Sequence, residues 1–152
     1  MSARKTKSKR TVQNNINTSK VARSFLKEDN EQIFKWAIRS DKIDCEHSDF
    51  GFHHEIQKTF VEKIAPCLKS YTSMRWVDIR QKGHCHDFDV VNLEKEFQER
   101  IVEKFGENAP ETLFQIKLTG KHRIFGYVEN GVFYILFNDP EHKGYIVEKK
   151  HT

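Results

Sequence analysis

The chain has no run of the roughly 18–20 apolar residues that a membrane-spanning helix needs, which excludes an integral helical membrane protein. Its N-terminus also lacks the apolar segment of a secretory signal, so export by that route is not expected. Cysteine is scarce: Cys45, Cys67 and Cys85 form an odd set without a repeating spacing. That argues against a disulfide framework and for reduced thiols in a cytoplasmic setting. No P-loop, no glycine-rich dinucleotide fingerprint and no serine nucleophile elbow occurs, which removes the chemistries those motifs serve.

Acidic residues are missing from one region. Residues 1–24 contain Arg4, Lys5, Lys7, Lys9, Arg10, Lys20 and Arg23 and no Asp or Glu. The whole chain carries 26 basic against 22 acidic residues, a formal +4; with those seven set aside, the remaining 19 leave residues 25–152 slightly acidic. The whole-chain pI of about 8.9 therefore describes a cationic arm on an acidic body, not a basic folded surface. Such an arm serves either as a solvating tail or as a phosphate- or partner-binding element.

With 152 residues, 37% of them hydrophobic, and twelve Phe, four Tyr and two Trp, the chain can build one core. We therefore expect a flexible basic arm over 1–24 and a single domain over 25–152. From Asn30, the cluster Ile33, Phe34, Trp36, Ala37 and Ile38 predicts a helix capped by Asp29 or Asn30. Phe52, Ile56, Phe60, Ile64 and Leu68 recur every four residues and predict a second helix, which Pro66 either ends or restarts. Thr72 or Ser73 is placed to cap a short helix through Trp76, Val77 and Ile79 that closes at Gly83, with a strand over Met74–Arg80 as the alternative. Asn92 is placed to cap a helix whose apolar face is Leu93, Phe97, Ile101 and Phe105, with Gly106 beyond its end.

The period then changes from 3.6 to 2. Phe114, Ile116 and Leu118 alternate with polar residues, Thr119-Gly120-Lys121 makes a turn, and Arg123 to Val128 follows as a strand. Asn130-Gly131 signals a type I′ hairpin into the strand Val132–Phe137. The expected architecture is α+β: N-terminal helices followed by a C-terminal antiparallel three-stranded meander, with helices on one face.

Two groups of residues carry chemistry. In an antiparallel meander Arg123 and the segment His142 to Tyr145 fall at the same end, and an Arg with a His and a Tyr suits phosphoryl chemistry. Alternatively, Arg123 pairs with Asp139 or Glu141 and Tyr145 caps the core. The second group is His84, Cys85, His86, Asp87 and Asp89, with Cys45, His47, His53 and His54 elsewhere. Its adjacent ligands do not have a zinc spacing, so it reads better as a polar connection than as a metal centre, although a metal enzyme built on His84 and His86 is a third alternative.

The run "LTGKHRIFGYVENGVFYILFNDPEHKGY", residues 118–145, resembles the C-terminal half of the RelE and YoeB group of bacterial toxins. That resemblance implies a RelE-like fold and a metal-independent, cofactor-free endoribonuclease cleaving messenger RNA at the ribosome, restrained by an antitoxin. It implies Arg123 as the phosphate contact, His142 as the group acting on the leaving oxygen, Tyr145 as the final tyrosine, and Glu111 as a base. Lys117, Lys121, His122 and Lys143 would then contact RNA. The chain departs from the group in its greater length, in the two residues between His142 and Tyr145, and in the short distance from Pro110-Glu111 to Arg123. A non-catalytic module binding nucleic acid or a protein partner is the other reading, since function belongs to the site and not to the fold.

Overall fold

The computed structural model describes residues 30–83 and 85–145, so residues 1–24, Asp29 and His84 lie outside the described residues. Among the described residues five strands form one sheet: β1 (Lys35–Ala37), β2 (Cys85–Asp89), β3 (Thr112–Lys117), β4 (Arg123–Glu129) and β5 (Val132–Asp139). Their spatial order is β1-β5-β4-β3-β2, with β1 parallel to β5 and every other pair antiparallel. Three α-helices longer than one turn lie between β1 and β3: α1 (Ala65–Tyr71), α2 (Trp76–Gln81) and α3 (Lys95–Phe105).

This corrects the expected RelE-like arrangement of N-terminal helices followed by a three-stranded meander. A strand precedes the helices, a further strand lies among them, and the sheet is mixed. The segment from Asn30 is not a helix because a one-sided helical stripe is not what it buries. Phe34 is buried, whereas Ile33 and Ile38 remain 45% and 46% exposed. Its aromatic and β-branched residues instead suit an edge strand, with Trp36 in register with Phe133. Cys85–Asp89, expected as a connection, is the opposite edge strand, with Cys85 opposite Ile116 and Asp89 opposite Thr112.

Both faces of the sheet are covered. On one, Ile64, Leu68, Trp76 and Ile79 pack on Phe114, Ile116, Ile124, Phe133 and Ile135. On the other, Phe50, Leu93, Phe97 and Ile101 pack on Leu113, Phe125, Tyr127, Leu136 and Phe137. Each fully enclosed Phe, Leu or Ile contributes about 1.5–3 kcal/mol relative to exposure, so these two layers fix the sheet's register. A bulge between Phe125 and Gly126 leaves Leu136 unpaired in register, and it joins Phe137 in the second core.

The four-residue repeat before Pro66 forms a 3₁₀ turn (His54–Ile56), one α turn (Gln57–Thr59) and a π turn (Phe60–Ile64) that leads into α1. Pro66 sits in the first turn of α1, where its missing N–H costs least. The segment through Trp76, Val77 and Ile79 is helix α2, not a strand, with Arg75 at its N-cap in place of Thr72 or Ser73. Helix α3 starts at Lys95 with Glu94 as its N-cap; Asn92, the expected cap, ends a separate 3₁₀ turn. The β4–β5 turn has positive φ at both Asn130 (52°) and Gly131 (76°), as a type I′ turn requires. Among the described residues, no helix is long and apolar enough to cross a membrane.

Candidate nucleic-acid interface at the β3–β4 turn

The turn joining β3 to β4 is closed by backbone hydrogen bonds from Leu118 N–H to the His122 carbonyl and from His122 N–H to the Thr119 carbonyl. Register then sets Lys117, Arg123 and Asp139 in one row across β3, β4 and β5. Arg123 is 9% exposed, and its Nη1 donates to the carbonyls of Gly120 (2.7 Å) and His122 (3.1 Å). Burial lowers its pKa, partly offset by Asp139. Asp139 is also buried and accepts the backbone N–H groups of Lys143 (2.9 Å) and Gly144 (2.8 Å). These two bonds fold the chain after β5 back over the sheet, and His142 adopts a left-handed φ of 56° within that loop.

The passage is tight at Gly144. A Cβ there would lie 2.8 Å from the Phe97 ring and 3.0 Å from an Asp139 oxygen. His142 is half-buried; burial and the nearby Arg123 lower its pKa, Asp139 opposes them, and Lys117 adds to the lowering. Arg123, Asp139, His142 and Lys117 thus form one electrostatic cluster. Arg123 and the loop at His142 share one end, as the meander implies; of the alternative, Tyr145 does pack on the core, but Arg123 lies in register with Asp139 without an ion pair and gives its Nη1 hydrogen bonds to backbone carbonyls.

Two expected members stand apart. Tyr145 packs its ring on Phe88 (4.6 Å between centroids) and bridges to Leu93, within the second core. Glu111 precedes the other end of β3, where its carbonyl accepts Val90 N–H. Lys117 is six positions further along β3, about 20 Å at the rise of an extended chain, so Glu111 cannot serve as base beside Arg123.

On the opposite face of the same turn, His122 is 8% exposed and its Nε2 pairs with Asn138 Oδ1. Lys121 and Lys143 are exposed. Two cations from the helical region, which the sequence did not single out, join them: Lys63 acts electrostatically on His122, and Lys82 on Cys85, which lies opposite Ile116. Asn138 and these two lysines were missed because nothing local in the sequence marks which helical residues come to a sheet end.

The charge pattern separates this end from the rest. Arg39, Lys42, Lys58, Arg75, Arg80, Lys95, Arg100 and Lys104 all stand within ion-pair distance of a carboxylate. Among the described residues, Lys63, Lys82, Lys117, Lys121, Arg123 and Lys143 do not, and elsewhere only Lys35 and Lys69 share that condition. A groove of about 1030 Å³ that includes His142, Lys143 and Tyr145 is otherwise lined largely by carboxylates, Glu94, Glu96 and Glu99 among them, so the cationic surface is acidic on this side.

The second group of chemical residues is dispersed. Strand alternation sends Cys85 and Asp87 to one face and His86 to the other. Cys85 is buried with its Sγ 3.7 Å from the Tyr71 hydroxyl, and Asp87 pairs with Arg80. His47 accepts N–H bonds from Asp49 and Phe50 and faces Glu96, while His53 faces Glu55. Cys45 is exposed. No three of the described His, Cys, Asp and Glu residues converge as metal ligands.

Fold and surface together define an α+β domain with a mixed five-stranded sheet and one cation-rich sheet end. A protein-family model matches residues 30–152, and the chain belongs to that family, described as "Uncharacterised protein UU032". No curated protein and no solved structure matches the chain.

Proposed function

We propose that this chain binds single-stranded RNA through the cation-rich end of its sheet. The observation that carries the reading is the segregation of charge: lysines outside ion-pair distance of a carboxylate gather around one turn, while most other cations are neutralised in place. Mobile lysines at such a surface exchange counterions for phosphates, which supplies affinity without reading sequence. On the same face of the sheet as Lys117, but about 13 Å further along β3 where Phe88 lies opposite Leu113, the half-exposed rings of Phe88 and Tyr145 offer a surface on which an unstacked base can lie. Double-stranded nucleic acid does not present its bases in that way, which favours a single strand.

A fluorescently labelled oligoribonucleotide followed by anisotropy tests this. Lys117→Glu with Lys143→Glu should weaken binding at least tenfold, whereas Lys35→Glu with Lys69→Glu on the remaining surface should change it by less than about threefold. Equal effects from the two pairs would refute the assignment. Deleting residues 1–24 separates the contribution of the arm from that of the sheet end.

A second reading is favoured by His142, which sits in the electrostatic reach of Arg123 and Lys117. In it the same end cleaves messenger RNA as the RelE and YoeB toxins do, with an antitoxin as partner. Growth arrest on expression, relieved by Arg123→Ala, supports it; normal growth at high expression counts against it.

A further inference from the structure

The face of the turn opposite Arg123 holds a cleft of about 370 Å³, walled by Thr59, Lys63, Lys121, His122, Asn138 and Glu141. Its central feature is the His122–Asn138 pair. Asn138 is 3% exposed and presents its amide oxygen to His122 Nε2. An amide oxygen only accepts, so Nε2 carries the proton and the lone pair is on Nδ1. Burial, set against the Asn138 bond, lowers the imidazole pKa, and Lys63 adds to the lowering. The ring is therefore neutral at pH 7, in the form that accepts a proton. Lys63 is carried by the π turn Phe60–Ile64, a distortion frequent at functional sites.

We propose that this cleft is a phosphodiester-cleaving site for single-stranded RNA, in which His122 Nδ1 takes the proton of a ribose 2′-hydroxyl while Lys63 and Lys121 hold the adjacent phosphate. This inference rests on the RNA-binding reading and adds an activity to it. The 2′-oxygen forms a bond to phosphorus, and the bond from phosphorus to the 5′-oxygen breaks. The departing electron pair stays on that oxygen, which takes a proton from the Lys63 ammonium; the proton on His122 returns to Lys63 through water. The products are a 2′,3′-cyclic phosphate and a 5′-hydroxyl, with no oxidant or metal in the balance. Asn138 is a positioning residue, since it fixes the ring's tautomer without touching substrate.

The test uses the full chain, a labelled oligoribonucleotide and the same oligonucleotide made entirely of 2′-deoxy residues, with products identified by mass spectrometry. Wild type should leave cyclic phosphate ends on the first and leave the second intact. His122→Ala should slow cleavage at least about 100-fold while retaining most of the RNA affinity, because a neutral imidazole adds no charge to the phosphate contact. His122 is buried, so His122→Gln, which preserves an amide donor toward Asn138, accompanies it and should lose cleavage equally with unchanged melting. Asn138→Ala should lower kcat at constant KM and move the acid limb of the pH profile downward. That limb is set by His122 among Lys63, Lys121, Arg123, Asp139 and Glu141. RNA bound by wild type but not cut overturns this inference alone. Cleavage that survives His122→Ala, or that vanishes with His142→Ala while His122→Ala cuts normally, also overturns it. Failure to bind RNA overturns it together with the RNA-binding reading.

Discussion

Substitution of Asp44 probes how the long loop between β1 and the helices is fixed. Its carboxylate is completely buried, and it accepts the backbone N–H groups of Glu46 and His47, each at 3.0 Å, and Arg100 Nε at 2.6 Å. Asp44→Ala strands two backbone donors, about 1 kcal/mol each, and removes a charge-assisted bond of about 1.5–3 kcal/mol. The Arg100 side chain is 20% exposed and keeps Glu103 at 2.9 Å, which places its loss at the lower end. The expected cost is about 4 kcal/mol, or roughly 8–16 °C in Tm for a domain of this size. Asp44→Asn keeps the oxygen that receives the two N–H groups and loses the charge, so about 2 kcal/mol is expected.

The pH dependence has a definite sign. Burial pushes the Asp44 carboxyl up, but Arg100, the two backbone donors and Lys104 outweigh it, and its pKa in the folded protein lies below the ordinary carboxylate value. A depressed carboxyl contributes its full stability above the unfolded value of about 3.9 and loses it as the pH falls through the folded value. Urea unfolding between pH 7 and pH 2 should therefore show the gap between wild type and Asp44→Asn constant down to about pH 4 and narrowing below it. An Asp44→Ala cost under about 1 kcal/mol, or a gap that does not narrow, would refute the reasoning.

Other outcomes follow from the core and the thiols. A Cβ at Gly126 would lie 2.2 Å from the Tyr134 carbonyl oxygen and 2.5 Å from the Phe133 ring, so Gly126→Ala should cost about 3 kcal/mol or more in urea unfolding. Trp76→Phe removes the indole N–H bond to the Gly131 carbonyl (2.8 Å) inside the core, and should lower stability by about 1–2 kcal/mol in the same assay. Burial raises the thiol pKa of Cys67 and of Cys85, whereas Cys45 is exposed; a thiol reagent at pH 8 should label Cys45 roughly tenfold faster than the other two.

The C-terminal strands were legible because their signals are local. Alternation from Phe114 and the Asn130-Gly131 pair specify strands and turn without reference to the rest of the chain. The same holds for α3, whose apolar face buries Phe97 and Ile101. What was not legible depends on distant pairing. Residues 35–37 become a strand only because β5 offers an unpaired edge, and Cys85–Asp89 only because β3 does. The candidate site divides in the same way. Placing Arg123 and His142 at one end follows from meander geometry alone. Lys63 and Asn138 beside His122 need the packing of a π turn against the sheet, and the distance from Glu111 to Arg123 needs the direction of β3.

The salt dependence of RNA binding tests the central claim most directly. For a single strand the logarithm of the binding constant falls with the logarithm of salt concentration at about 0.7 per phosphate neutralised. Comparing wild type with the Lys117→Ala, Lys121→Ala, Lys143→Ala triple variant should show a slope shallower by about 2, with weaker binding at every salt concentration. An unchanged slope and affinity in the triple variant would place the RNA elsewhere and contradict the account.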